Sequence, residues 1–376
     1  MNTRPFGNLG FNVVPFGLGC MRLPSQPDSR DDLLVDESVA LIRRAMDGGV
    51  NYLDTAYVYA GGNSERVLGI ALKNGYREKV KIATKLPLRD DFLRPEGFDK
   101  LFFESLRRLD VEYVDFYLLH GINGSSFDKF VANGALKWLD KKVEQGLIRY
   151  PSFSFHGEKE DFVRILDTYP FKMAQIQMNI LDTQHQATMD GLVYAGKKGV
   201  PIVIMEPLRG GALAGKLPDN VQKAYEPGAQ GRSLVEWAFR FLYDRPEVAV
   251  ILSGCSTIEQ VEDNLRIFKN AEPNCLTAED KAYLRAIADA YNARPRTGCT
   301  ACRYCMPCPF GVDIPGVFRS VDQANMFDNV EMLRAARNWM GGKWADACTK
   351  CGACEKKCPQ HLPIRQLLAK AADDVL

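Results

Sequence analysis

The chain has 376 residues, of which 48 are basic and 47 acidic, for a formal net charge of +1. That balance excludes the broad positive field of a nucleic-acid binder, and no apolar run approaches the roughly 20 residues that a membrane span needs. The length accommodates one large domain plus a smaller one. The opening Met1-Asn2-Thr3-Arg4-Pro5-Phe6-Gly7 lacks the apolar region of a secretory signal, so a cytoplasmic location is expected.

From the N-terminus, residues 4–16 alternate apolar and polar positions around Asn8-Leu9-Gly10, which predicts a hairpin ahead of the main fold. Short apolar runs then predict strands at 14–18, 51–53, 81–84, 114–119, 148–154, 173–177, 201–205 and 248–252. Between and after them, amphipathic stretches predict helices at 37–47, 64–74, 96–109, 128–145, 159–167, 188–198, 233–243 and 257–268. Eight strands alternating with eight helices predict an α/β fold of the (β/α)8 kind, a TIM barrel, rather than an open sheet. A barrel keeps its chemistry just beyond the C-terminal ends of its strands. The polar residues falling there are Asp54, Lys85, His120, Ser154, Gln175, Glu206 and Ser253-Gly254.

Asp54, Tyr59, Lys85 and His120 form a chemically coherent group. They resemble the catalytic tetrad of the aldo-keto reductase family, which implies reduction of a carbonyl by hydride. That leaves an alkoxide that must take up a proton, and a free tyrosine with pKa near 10 is a reluctant donor. A nearby ammonium is expected to lower that pKa, an aspartate to keep the ammonium charged and placed, and a histidine to hydrogen-bond the carbonyl oxygen. Tyr57 is the rival acid, but the spacing from Asp54 favours Tyr59.

The pattern Asp54-Thr55-Ala56-x-x-Tyr59, with Lys85 ending a strand and His120 closing Asp115-Phe116-Tyr117-Leu118-Leu119-His120, resembles the aldo-keto reductase family across roughly residues 3–270. The resemblance implies a catalytic tetrad of Asp54, Tyr59, Lys85 and His120, and an NAD(P)(H) cofactor lying extended across the barrel top. It implies that Ser154 and Gln175 bind the carboxamide, although the family's Ser-Asn pair is replaced here by Ser154-Phe155-His156. Met205 stands where the family often stacks a tyrosine on the nicotinamide, and Glu206, Leu208 and Gly210 follow it on the same cofactor surface. Ser256, Gln260, Asp263 and Asn264 match the adenosine end. The basic residues that many NADPH-preferring members carry there are absent, which leaves NADH and NADPH both open. Arg22, Tyr57 and His156 are expected at the substrate mouth.

The eleven cysteines are unevenly spread. Cys20, Cys255 and Cys275 are scattered; Cys20 is expected to approach the cofactor and the other two to be packed thiols. The remaining eight form two runs, Cys299, Cys302, Cys305, Cys308-Pro309 and Cys348, Cys351, Cys354, Cys358-Pro359. The second run has the full spacing of bacterial ferredoxins with two 4Fe–4S clusters, in which the fourth cysteine of each run ligates the other cluster, and the first run is one residue shorter before its last cysteine. On that pattern Cys308 joins Cys348, Cys351 and Cys354, while Cys358 joins Cys299, Cys302 and Cys305. A zinc site of four thiolates is the alternative. His361 is read as a surface or capping residue, and 313–339 as helical. The tail resembles a ferredoxin-like module attached to some aldo-keto reductases. The expected organisation is therefore a barrel domain at 1–292 and a small, mainly helical iron–sulfur domain at 293–376.

These features imply an oxidoreductase that moves a hydride between NAD(P)H and a small carbonyl-like substrate. Hydride carries two electrons together and clusters pass them singly, so either a flavin binds in or near the barrel or the clusters serve structure or the docking of a redox partner protein. The competing reading is an electron-transfer protein or redox sensor whose barrel only binds a cofactor. No nucleic acid or membrane partner is expected.

Overall fold

The computed structural model describes residues 1–294 and 296–375. The chain divides into two compact units, one formed by Met1–Gly211 with Arg232–Lys281, the other by Ala212–Gly231 with Ala282–Leu376.

The first unit opens with the expected hairpin, β1 (Arg4–Pro5) pairing antiparallel with β2 (Asn12–Val13). The first barrel strand, β3 (Phe16–Gly19), is followed by a second small hairpin, β4 (Ser25–Gln26) and β5 (Ser29–Leu33). The other seven barrel strands are β6 (Tyr52–Asp54), β7 (Lys81–Leu86), β8 (Val114–Ile122), β9 (Ile148–Phe155), β10 (Ala174–Gln177), β11 (Ile202–Met205) and β12 (Val248–Ser253). They close in the order β10-β11-β12-β3-β6-β7-β8-β9, and every neighbouring pair is parallel. Parallel strands need crossovers, and the intervening helices supply them.

The local chemistry explains the elements. The helix Pro95–Leu109 begins with a proline, which suits the first turn because its missing N–H has no partner there. Phe98, Leu101, Phe102, Leu106 and Leu109 recur on one face and are buried, so the helix is held by that stripe against the sheet. The single helix expected over 128–145 is instead two, Gly124–Ala132 and Ala135–Glu144. Gly134 adopts φ 79°, a left-handed conformation that breaks the α-helical run. Asn123 and Ser126 form a reciprocal capping box that fixes the start of the first helix directly after β8.

The barrel is filled at one end by the N-terminal hairpin. Phe6 is fully buried, stacks on Tyr52 at 5.8 Å and lies 5.0 Å from Phe116. With Val203 and Val250 these residues make an interior core distinct from the larger one between strands and helices. Burying each such ring stabilises the fold by roughly 2–3 kcal/mol. The N-terminal half of the barrel interior is thus filled mainly by apolar and aromatic side chains.

The second unit contains the helices Asp219–Tyr225, Ile314–Phe327, Val330–Met340 and Ile364–Asp373. The expected helix at 313–339 is broken at Asp328, which has φ 51° and is followed by Asn329, whose side chain caps the next helix. Val312, Ile314, Phe318, Leu333, Trp344, Ile364 and Leu368 form its core, with six of the eight clustered cysteines packed on it. Within this unit Tyr283 Oη donates to the Tyr225 carbonyl at 2.5 Å, and Asn220 Nδ2 to that of Ala290 at 2.6 Å.

Candidate active site and candidate cluster sites

Register brings the strand-end residues together. Gly19 lies beside Asp54, Asp54 beside Ala83, and Lys85 beside Leu118, two residues before His120. Lys85 Nζ donates to Asp54 Oδ1 at 2.6 Å, to the Thr55 carbonyl at 2.7 Å and to Tyr59 Oη at 3.3 Å. An ammonium has three protons, and three acceptors take them. Because Tyr59 Oη accepts, its own proton is left to point elsewhere. His120 stands edge-on to the Tyr59 ring, 5.9 Å between centroids.

Lys85 and Asp54 are almost wholly buried. For Lys85, burial opposes the charge, but Asp54 and Tyr59 hold its pKa above the ordinary value. Burial raises the Asp54 carboxyl against the pull of Lys85. Tyr59 departs from the expectation of a lowered pKa: burial pushes it up by more than the Lys85 ammonium brings it down. Removing the phenolate from water outweighs one favourable neighbour. His120 is pushed down to about 3, first by burial and then by the charges of Lys85 and His156, so at neutral pH it is an uncharged imidazole.

These groups open onto a cavity of about 390 Å³ lined by Asp54, Tyr59, His120, Gln175, Met205 and Glu206, with Leu208, Gly210 and Gly254 farther along. Gly210 and Gly211 adopt φ of 68° and 96°, conformations that suit glycine, so the chain there presents bare backbone. The loop is braced from behind. Asn179 Nδ2 donates to the Glu206 carbonyl at 3.3 Å, and Arg209 Nε lies 3.4 Å from Asp182.

The residues expected at the cofactor fall into two groups. Gln175, Met205, Glu206, Leu208 and Gly210 line the cavity. Gln175 is 2 % exposed and its Oε1 has no hydrogen-bond partner, while its Nε2 faces Met205 Sδ at 3.8 Å. A buried amide oxygen without a donor is costly, and a ligand amide would satisfy it. Ser154, Ser256, Gln260, Asp263 and Asn264 are not among the lining residues. Ser154 Oγ accepts the Gly121 N–H at 2.8 Å and so pins the turn after His120. Asn264 donates to Ser253 Oγ and Cys255 Sγ, Asp263 pairs with Arg266, and Ser256 is bonded to Gln260 and to the Arg22 carbonyl. Ser256, Gln260 and Asn264 brace the loop after β12, while the Asp263 pair lies within the helix that follows it.

At the mouth, Arg22 and His156 line the cavity and Tyr57 does not. Tyr57 lies under the Arg108 guanidinium, 4.1 Å from its ring centroid, and that attraction turns the ring away from the cavity. Arg108 belongs to a network that sequence reasoning missed. Its Nη1 donates to the Tyr57 carbonyl at 2.8 Å and to Glu65 at 3.1 Å, and Glu65 accepts from Thr84 Oγ1 at 2.7 Å. Glu65 is fully buried and ties the residue before Lys85 to the loop carrying Tyr59. A lone glutamate in an amphipathic stretch gives no signal of this. Cys20 and Cys255 are buried thiols and Cys275 is partly buried; burial raises all three.

In the second unit, Cys299, Cys302, Cys305 and Cys358 line one cavity with Ile314, Phe318 and Leu362. Cys358 thus gathers with the first run. Among the described residues no three His, Cys, Asp or Glu side chains close around a single ion. An all-thiol set around an apolar-walled space fits a 4Fe–4S cluster. His361 is exposed, its N–H bonded to the Cys358 carbonyl.

Comparison with known proteins adds a family. Residues 15–289 match the model described as "Aldo/keto reductase family", and residues 298–363 the one described as "4Fe-4S dicluster domain". L-galactose dehydrogenase of Arabidopsis thaliana is 27% identical over 315 residues, 77% of this chain and 95% of that protein. The holo form of aldo-keto reductase AKR11C1 from Bacillus halodurans aligns over 77% of this chain and 97% of its own, with 26% identity and a TM-score of 0.65. An aldo-keto reductase from Klebsiella pneumoniae solved with NADPH aligns over 76% and 95%, with a TM-score of 0.61; at 24% identity it attests the fold.

Proposed function

The chain belongs to the aldo/keto reductase family, and on that premise we propose that it reduces a small carbonyl compound with NAD(P)H, using Tyr59 as the proton donor. One observation carries the reading: Lys85 occupies the acceptor side of Tyr59 Oη, while the Tyr59 ring and His120 pack nearly at right angles beside the cavity.

A nicotinamide bound here would supply the hydride, and the tail's clusters would carry single electrons. The chain's own residues do the rest. Gln175 offers its unpaired amide oxygen to a carboxamide, and Met205 packs a polarisable thioether beside it. Gly210 and Gly211 let the backbone come close to a pyrophosphate. Uncharged His120 donates to the carbonyl oxygen as negative charge develops. Tyr59 then gives that oxygen its proton, and Lys85, kept charged by Asp54, stabilises the phenolate left behind. In the tail, Cys299, Cys302, Cys305 and Cys358 would hold one 4Fe–4S cluster, and Cys308, Cys348, Cys351 and Cys354 the other. The flavin alternative gains no supporting observation.

The test is anaerobic NADH and NADPH oxidation by cluster-loaded protein against a panel of aldehydes and ketones. Carbonyl-dependent oxidation that disappears in Tyr59→Phe is the expected result. Oxidation that persists in that variant would remove Tyr59 from the mechanism.

A further inference from the structure

The segment around the second cysteine run carries an unbalanced charge that the barrel chemistry does not use. Residues 282–376 hold 13 basic and 9 acidic side chains, although the whole chain is nearly neutral. The excess is concentrated between Lys343 and Arg365, where five cations meet two carboxylates. Both carboxylates are engaged: Asp346 pairs with Arg337 at 2.9 Å, and Glu355 with Arg365 at 2.8 Å. Lys350, Lys356 and Lys357 are exposed and pair with no carboxylate among the described residues.

These cations lie on the cysteine loop itself. Lys350 directly precedes Cys351, the one exposed thiol of the second run, and Lys356 and Lys357 separate Cys354 from Cys358. A Cβ on Gly352 would meet the Arg365 guanidinium at 3.6–3.7 Å, so this cation packs against the same loop. Lys350, His361 and Arg365 also line a shallow surface depression with Glu355, Leu362, Pro363 and Gln366. A cation-rimmed depression thus adjoins the place where a cluster ligand reaches the surface.

We propose that this face docks a small acidic one-electron carrier protein, of the ferredoxin or flavodoxin kind, which exchanges electrons with the cluster nearest Cys351. The inference rests on the proposed presence of 4Fe–4S clusters in the tail. Electron tunnelling weakens steeply with distance, so a carrier must approach where a ligand loop is exposed. Three exposed lysines on that loop, unpaired with any carboxylate among the described residues, steer an acidic partner and repel a basic one. The redox balance is simple. Each encounter oxidises the carrier by one electron and reduces one cluster by one, and two encounters load the pair with the two electrons that a hydride contains.

The experiment uses the full-length, cluster-loaded protein and an acidic bacterial-type ferredoxin as the probe. The visible iron–sulfur spectrum establishes loading first, so failure of the clusters and failure of docking are told apart. Binding is measured by titration calorimetry at low and high salt, and electron transfer from the reduced probe by stopped flow. Affinity and second-order rate are expected to fall about tenfold or more as salt rises past the point where screening shortens to ~8 Å. The triple change Lys350→Glu, Lys356→Glu and Lys357→Glu should produce a similar loss at low salt with the spectrum unchanged. If that variant does not load clusters, the milder Lys→Gln set is read in its place. No binding at low salt, binding indifferent to salt and charge, or tighter binding of a DNA duplex that excludes the ferredoxin would each overturn the proposal.

Discussion

Lys85 donates to Tyr59 across 3.3 Å, which engages the phenol's acceptor side and leaves its proton for the cavity. Tyr59→Phe removes that proton and one of the three acceptors of Lys85, while the ring contact with His120 remains. Carbonyl reduction is expected to fall by roughly 10²–10⁴-fold. Cofactor affinity, followed by nucleotide fluorescence, should hardly change. A parallel loss of cofactor binding would mean that Tyr59 acts on binding.

Asp54 and Lys85 are charges buried together. Lys85→Met leaves a carboxylate without its partner, and chemical denaturation should show a loss of about 3–5 kcal/mol. Adding Asp54→Leu removes the stranded charge and should recover much of it. A double variant as unstable as the single would argue that the lysine's packing, not the charge, is what matters.

Arg108 and Glu65 hold the Tyr59 loop from behind. Gly62 adopts φ 94°, and a Cβ there would approach the Arg108 guanidinium to 2.6 Å, so the loop and the arginine are closely fitted. Arg108→Ala should lower kcat about tenfold or more through a misplaced Tyr59 while KM changes little, because a small displacement of a reacting group is expensive. The alkaline limb of the kcat profile should move as the Lys85–Tyr59 spacing changes. A purely structural role would lower the melting temperature without shifting that limb.

His120 has a folded pKa near 3 against about 6.5 in an unfolded chain. Between those values the unfolded state binds the extra proton, so stability falls as pH drops from 6.5 toward 3. The loss attributable to this residue is up to about 5 kcal/mol over that whole range, of which about 3 falls between pH 7 and pH 4.5. It is read as the difference between wild type and His120→Asn in urea titrations at pH 7 and pH 4.5. Equal slopes in the two proteins would mean that His120 is protonated in the folded state.

Cys358 belongs to the second run in sequence and lies with Cys299, Cys302 and Cys305 in space. Cys358→Ala is therefore expected to disturb the first-run cluster, lowering iron from about eight to about four per chain. The surviving paramagnetic signal should then respond to Cys351→Ser and not to Cys302→Ser. The reverse assignment would show that the runs do not cross.

Much of this molecule is legible in one dimension. Apolar runs of strand length alternating with amphipathic ones specified the barrel, because burial on both faces of a parallel strand leaves that pattern in any such chain. The ends of those runs marked where Asp54, Lys85 and His120 stand, since a barrel of this kind gathers its reactive groups at the C-terminal ends of its strands. The cysteine spacing pointed to a cluster-binding tail because ligand loops are local. What depends on partners distant in sequence was decided only by folding. Nothing in the sequence distinguishes Gln175, whose amide oxygen is left unpaired at the cavity, from Ser154 and Asn264, whose groups are spent on Gly121, Ser253 and Cys255. Tyr57 and Tyr59 are two residues apart, yet a guanidinium 51 positions after the first takes it out of the site. The direction of the Tyr59 shift also needed the structure. One charged neighbour can be guessed from sequence, but how much water the phenol loses is set by how the whole barrel end closes over it.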